Sequence, residues 1–360
     1  MQYWHGCNYA WSTDGATVFY GMDFGANVWG SHLGVSTRRA AVSRDFADMA
    51  ALGFLVVRWF VFADGRSGIV FDETGRPIGL DPHVFVDLDA ALGIAREHGI
   101  RLVLVMLDHR WMFRGLHERV ADPAPGALFD ARLPHGRAEV LRSADGHDAL
   151  LHRVLEPVVS RYGAGGARAD LGESILAYEL INEPDFVVEE WEQDLSPRVT
   201  RPVPFATLAA LVARFNGAVH RYSRALTTIG GARLRHLWVW DDDALDVDVL
   251  QAHSYPDTKR PGRDVDLFGI PARKLSARRL VVLGEFPGDG PNQHPADVLP
   301  PSRTLDEYLE FAVSHGYAGA WPWSFSGTDA YGRLPRPALR RFAARFPHLV
   351  HPRAAGPSTG

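Results

Sequence analysis

Short apolar runs recur along the chain, separated by longer stretches whose apolar positions return every three to four residues. Eight runs stand out, at residues 6–10, 55–60, 102–107, 175–181, 237–240, 249–253, 280–284 and 319–323. Amphipathic stretches with helical spacing lie between many of them, the clearest at 38–52, 86–98, 149–162, 205–226 and 304–315. Buried strands alternating with helices are the pattern of a parallel sheet, because a parallel pair needs a long crossover between its strands. Eight such units close on themselves. The expected fold class is therefore α/β, a single (β/α)8 TIM barrel, with long loops after strands 1 and 3 at residues 11–37 and 108–145. Both loops follow the C-terminal end of a strand, the face on which barrels build their sites. Residues 1–350 are expected to form the catalytic barrel, and residues 351–360, rich in proline and glycine without periodicity, a flexible tail.

Composition narrows the function classes. A net charge of -5 over 360 residues offers no basic field for phosphates or anionic lipid, so no nucleic acid and no membrane partner is expected. Cys7 is the only cysteine, which excludes an intramolecular disulfide and a cysteine-based zinc cluster. The 16 histidines are scattered, with no His-x-His pair and no His-Glu-x-x-His helix, so no metal site is expected. The N-terminus, Met1-Gln2-Tyr3-Trp4-His5, has neither a basic region nor an apolar core, which reads as cytoplasmic, or as secreted if a leader was trimmed.

Two strand ends carry candidate chemistry. The run 175–181 closes on Asn182-Glu183-Pro184, and the run 280–284 closes on Glu285. A carboxyl where a buried strand meets its loop is partly desolvated, and its pKa can rise enough to hold a proton near neutral pH. On the fourth and seventh strands of a closed barrel two such glutamates face one another, as two carboxyls flanking a glycosidic bond must. Either glutamate alone would read equally well as a solvated loop residue or half of an ion pair.

These motifs resemble the clan A glycoside hydrolases, and within them glycoside hydrolase family 5, the cellulase and mannanase superfamily. The resemblance implies Glu183 as general acid/base and Glu285 as nucleophile. It further implies that Arg58, in Val57-Arg58-Trp59-Phe60, hydrogen-bonds the nucleophile, and that His109, after Leu107-Asp108, lines the sugar site. Asn182 would meet the sugar's 2-hydroxyl. In Ala252-His253-Ser254-Tyr255, the phenol of Tyr255 would bond the nucleophile while His253 orients its neighbours. Trp323, in Ala320-Trp321-Pro322-Trp323, would floor the sugar, with Trp321 the second choice because side chains alternate along a strand. Gly6-Cys7-Asn8 resembles the clan's Gly-x-Asn, whose asparagine is usually structural.

The activity this implies is retaining hydrolysis of β-linked glycosides or oligosaccharides of β-mannan or β-glucan type, by a monomer, with a carbohydrate substrate and no cofactor. Two alternatives share the fold: a catalytically inactive carbohydrate-binding barrel, and a transglycosylase using the same intermediate. Asp241, Asp242, Asp243, Asp246 and Asp248 form an acidic loop open to three readings: sugar contact, Ca²⁺ binding or plain solvation. Trp29, His32, Trp59, Phe62, Asp64, Trp111 and Trp191 are further candidates for subsites, or for packing.

Overall fold

The computed structural model describes residues 3–12, 21–28, 30–113, 135–255, 264–288, 303–327 and 334–351. Trp29 and the expected tail, apart from His351, lie outside the described residues.

Eight parallel strands close into a barrel. They are β1 (Trp4–Asn8), β2 (Val56–Phe60), β3 (Arg101–Asp108), β4 (Ile175–Asn182), β5 (Leu226–Gly231), β6 (Val249–His253), β7 (Leu280–Glu285) and β8 (Gly319–Ala320). Each pairs with its chain neighbours, and β8 returns to β1 with Trp4 opposite Gly319. Strand alternation sorts the side chains. Along β2, Val57 and Trp59 face the helical layer and join the large outer core, whereas Val56 packs inside the barrel floor with Trp4, Val103, Val249, Val282 and Trp321. Phe60 sits at the upper rim with Ala10, Trp11, Ala63 and Val105. Between the apolar floor and this rim the barrel interior is polar.

One expected strand is elsewhere. Residues 237–240 belong to a 3-10 segment, Leu234–Trp240, and the fifth strand is Leu226–Gly231, with sequence LTTIGG. The expected helix 205–226 accordingly stops at Tyr222. The fifth strand lacks an apolar signature because its inward positions face the polar layer. A Cβ on Gly230 would come within 2.6 Å of His253 Nε2 and 3.0 Å of Glu179 Oε1, so a branched side chain has no room there. Since one strand replaces the other, the count stays at eight and Glu183 and Glu285 remain at the ends of β4 and β7.

The helices Arg39–Ala51, Val84–Glu97, Phe205–Tyr222 and Leu305–Ser314 lie close to their expected bounds. Thr304 and Glu307 form a reciprocal capping box at the start of the last of these, satisfying two otherwise unpaired N–H groups. The stretch expected at 149–162 begins earlier, as Ala144–Leu150, and runs through a π turn, Leu151–Leu155, into Glu156–Tyr162. A short antiparallel hairpin, Ile69–Phe71 with Pro77–Leu80, decorates the connection after β2, and its apolar runs were too short to register in the sequence pattern. Among the described residues no helix is long and apolar enough to cross a membrane.

Candidate active site

The register of the sheet stacks polar residues at the C-terminal ends of the strands. Asn8 pairs with Arg58, Asp108 with Asn182, Asn182 with Gly230, and His253 with Glu285. Arg58 is fully buried among them. Its Nη1 donates to Glu285 Oε1 at 2.6 Å and to Asn8 Oδ1 at 2.9 Å, and its Nη2 donates to Asn182 Oδ1 at 2.6 Å. Asn8 in turn donates to the carbonyls of Gly284 and Trp321, tying β1 to β7 and to the residue that follows β8, below Glu285. Asn182 passes a hydrogen to Asp108 Oδ2 at 2.9 Å.

Glu285 also accepts from the hydroxyl of Tyr255 at 2.9 Å. Glu183 follows β4 in the left-handed region, φ 49° and ψ 57°, and its N–H bonds the Gly230 carbonyl at 3.0 Å. For a non-glycine residue this conformation costs roughly 1–2 kcal/mol, and it turns the side chain back over the barrel mouth. There Glu183 Oε1 lies 3.1 Å from His253 Nδ1, and Oε2 lies 3.7 Å from His109 Nδ1. The same His253 nitrogen is 3.6 Å from Glu285 Oε1. One oxygen of each glutamate and a ring nitrogen of His253 lie within 4.8 Å of one another.

Burial governs the protonation of this group. It pushes Glu285 up to about 7, with the neighbouring Glu183 adding to the effect and His253, Arg58 and Tyr255 opposing it. Burial likewise raises Glu183, assisted by Asp108 and opposed by His109 and Arg58. His253 is driven down to about 4 by burial and is neutral at physiological pH. Two carboxyls this close do not both ionise readily, so each raises the other. Hydrogen bonds to the charged form separate them. Glu285 receives donors from Arg58 and Tyr255, which favour its charged form, whereas Glu183 has histidine neighbours among these contacts.

The expected residues sort clearly. Arg58, Asn182, Glu183, His253, Tyr255 and Glu285 converge on one hydrogen-bonded group, and His109 lies beside it, its ring 4.8 Å from Phe186. The two tryptophans separate as alternation requires. Trp321 is buried at 1% exposure in the barrel floor and donates to the Trp4 carbonyl. Trp323 is half-buried at the mouth, in edge contact with Trp11 at 5.8 Å and Phe60 at 6.1 Å. The second choice, Trp321, is thus a core residue rather than a sugar platform.

The other candidates are committed to packing. Trp59 bonds Asp23 and lies among Tyr9, Phe24 and Phe46 outside the barrel. Phe62 is buried, Trp111 is buried with its N–H on the Arg137 carbonyl, and Asp64 grips Arg66. His32 stacks on His83 and meets Asp87, and Trp191 stacks on His236 at 4.3 Å. The acidic loop lies at the opposite end of the barrel. Asp241 and Asp243 pair with Arg278 and Arg279, and Asp246 and Asp248 with His220, on segments leading into β6 and β7. A sugar at the C-terminal face would not reach them. Among the described residues, the grouping whose ligand atoms lie close enough to hold a metal is Glu183, His253 and Glu285, the site itself.

Sequence reasoning missed three members. Glu179, Gln251 and Asp108 are buried polar residues within the strands, bonded to Arg58, Glu179 and Asn182 respectively. Charged or amide residues inside otherwise apolar runs, as in Leu176-Ala177-Tyr178-Glu179-Leu180, were the signal that could have found them.

No family model matches the chain. It is 25% identical over 238 residues to mannan endo-1,4-beta-mannosidase 1 of Oryza sativa subsp. japonica, covering 63% of this chain and 53% of the relative. It is 28% identical over 240 residues to mannan endo-1,4-beta-mannosidase 3 of the same plant, covering 64% and 49%. The match thus spans about half the length of these curated relatives. In fold it is similar to the beta-1,4-D-mannanase of Cryptopygus antarcticus, with TM-score 0.71, 16% identity and coverage of 95% of this chain and 90% of that one. The endo-1,4-beta-mannanase of Eisenia fetida aligns with TM-score 0.68, 18% identity and the same coverages, 95% and 90%. The resemblance to a family 5-like clan A glycoside hydrolase therefore stands on sequence relatives as well as on the barrel fold.

Proposed function

We propose that the chain is a retaining glycoside hydrolase acting on β-mannan-type oligosaccharides by double displacement, with the barrel of residues 1–350 as its catalytic unit. The observation that carries this reading is the approach of Glu183 and Glu285 to within 4.8 Å with unlike hydrogen bonding. Retaining enzymes hold their carboxyls roughly 5–5.5 Å apart, whereas inverting enzymes leave about 6.5–9.5 Å for a water. Mannan relatives in both sequence and fold favour mannose over glucose at the cleaved bond.

In this reading Glu285, held by Arg58 and Tyr255, attacks the anomeric carbon, and the glycosidic C–O bond breaks as Glu183 gives its proton to the leaving oxygen. The product is a glycosyl ester on Glu285. Having given up its proton, Glu183 is now the carboxylate, with neutral His253 beside it and no charge left on Glu285 to oppose it, and it takes a proton from the water that attacks the ester. Glu285 departs as carboxylate and the anomeric configuration is retained. Asn182 has a second amide hydrogen for the 2-hydroxyl, and Trp323 offers an aromatic face to the apolar side of the ring. His109 lines the acid/base side.

The test is hydrolysis of aryl β-mannosides, aryl β-glucosides and β-1,4-manno-oligosaccharides by wild type, Glu183→Gln and Glu285→Gln, with the first-formed anomer read by NMR. We expect mannoside cleavage with the β-anomer released first, abolished in Glu285→Gln and reduced about 10²–10⁴-fold in Glu183→Gln. Release of the α-anomer would defeat the retaining assignment. An added alcohol acceptor separates hydrolysis from transglycosylation, and micromolar oligosaccharide binding without any cleavage would identify a binding barrel.

A further inference from the structure

The guanidinium of Arg58 carries five N–H groups, and each has its own acceptor. Nε and Nη2 make a two-pronged bond to Glu179, 2.8 Å on each prong. The remaining three hydrogens go to Glu285, Asn8 and Asn182. A fork of this kind fixes the plane of the guanidinium, so the directions of the other three bonds follow from where Glu179 holds the first two. Glu179 is itself held. Gln251 Nε2 donates to Glu179 Oε2 at 2.7 Å and to Thr228 Oγ1 at 3.0 Å.

The surrounding backbone is cut to fit this layer. A Cβ at Gly230 would sit 3.0 Å from Glu179 Oε1, and one at Gly284 would sit 2.7 Å from Gln251 Oε1. Glycine on both strands flanking β6 gives Gln251 and Glu179 the room to meet beneath the reacting carboxyls. Glu179, Arg58 and Gln251 are all fully buried, out of reach of competing water.

We propose that Glu179 is a positioning residue for glycosyl transfer, setting the plane and the net charge of Arg58 so that the guanidinium aims at Glu285 and Asn182 without over-stabilising the Glu285 anion. The proposal rests on the reading of Glu285 as nucleophile. Two buried carboxylates share one arginine, and the share that Glu179 takes is charge not available to Glu285. With Glu179 neutralised, the full positive charge of Arg58 would face Glu285, which would ionise at lower pH and attack less readily. An ion pair serving stability alone would lower the melting temperature and leave that ionisation untouched.

The test compares wild type, Glu179→Gln and Gln251→Leu on an aryl β-mannoside, with kcat, KM, pH profile and melting temperature for each. Turnover by wild type that is lost in Glu285→Gln sets the frame; without it the glycosidase reading itself fails, whatever Glu179 does. Within that frame we expect folded Glu179→Gln to lose about 100-fold in kcat with KM little changed, and its acid limb to move to lower pH. Gln251→Leu keeps the arginine's counter-charge but loosens its rotamer, so kcat falls by less and the acid limb stays in place. A folded Glu179→Gln with wild-type kcat and an unmoved acid limb would overturn the proposal. Should that variant not fold, Gln251→Leu decides: a reduced kcat at unchanged KM supports positioning, and a wild-type kcat refutes it.

Discussion

Arginines meet carboxylates at both ends of this barrel, and the two clusters differ in everything but residue type. At the C-terminal end, Arg58 is 0% exposed and spends all five N–H groups on fixed acceptors contributed by three different strands. At the N-terminal end, Arg278 and Arg279 bridge Asp241 and Asp243, with side-chain exposures of 53% for Arg278 and 80% for Asp243 against 14% for Arg279 and 15% for Asp241. Water competes for the Arg278–Asp243 pair of the second cluster and is excluded from the first. Burial makes the inner cluster able to shift pKa values and orient groups, and it makes each member costly to remove. The outer cluster contributes little beyond tethering two loops.

Arg58→Met should break this contrast most severely. It strands Glu179 in the interior and is expected to destabilise the fold by about 3–5 kcal/mol, measured by denaturant unfolding, with loss of turnover. Glu285→Gln probes the same cluster from its other side through pH. A carboxyl raised from 4.5 to about 7 on folding favours its protonated form in the native state. Stability from that proton is complete below about 4.5 and is lost as pH rises through about 7. The glutamine variant escapes this loss, so its advantage over wild type should grow between pH 5 and 8, by an amount on the order of 3 kcal/mol. An advantage that did not change with pH would show that burial does not govern Glu285.

Gly230→Ala tests the steric side of the layer. Its methyl group would meet His253 and Glu179, and overpacking of this sort costs about 1–3 kcal/mol, with reduced kcat as His253 shifts. Asp243→Asn should have the smallest effect, within about 1 kcal/mol in unfolding experiments and with unchanged kcat and KM. A large effect at Asp243 would mean that the exposed cluster is coupled to the site after all.

Much of the inner cluster could be read from the chain. Arg58, Asn182-Glu183, His253-x-Tyr255 and Glu285 each stand in or at the end of an apolar run, where a polar residue is conspicuous. Glu179 and Gln251 stand in equally apolar runs and escaped notice, because their partners are other strands' side chains and no local pattern names them. The acidic loop is the opposite case, a conspicuous pattern for which plain solvation was one of the open readings. It is conspicuous in sequence, yet in space it precedes β6 and sits at the wrong end of the barrel. The fifth strand was misplaced because LTTIGG, with small residues where the polar layer crowds inward, lacks the apolar signature that 237–240 displays.

Periodicity and the residues at strand ends were enough by themselves to determine an eight-unit barrel with two facing glutamates, since burial patterns and parallel crossovers are local consequences of composition. Only closure decided the rest. Which tryptophan floors the mouth and which fills the base, how Asn182 meets Asp108, and how Glu179 fixes the arginine that holds Glu285 depend on inter-strand register. Register brings together atoms up to 317 residues apart in the chain, as between Trp4 and Trp321, and a one-residue slip would turn each such side chain to the opposite face.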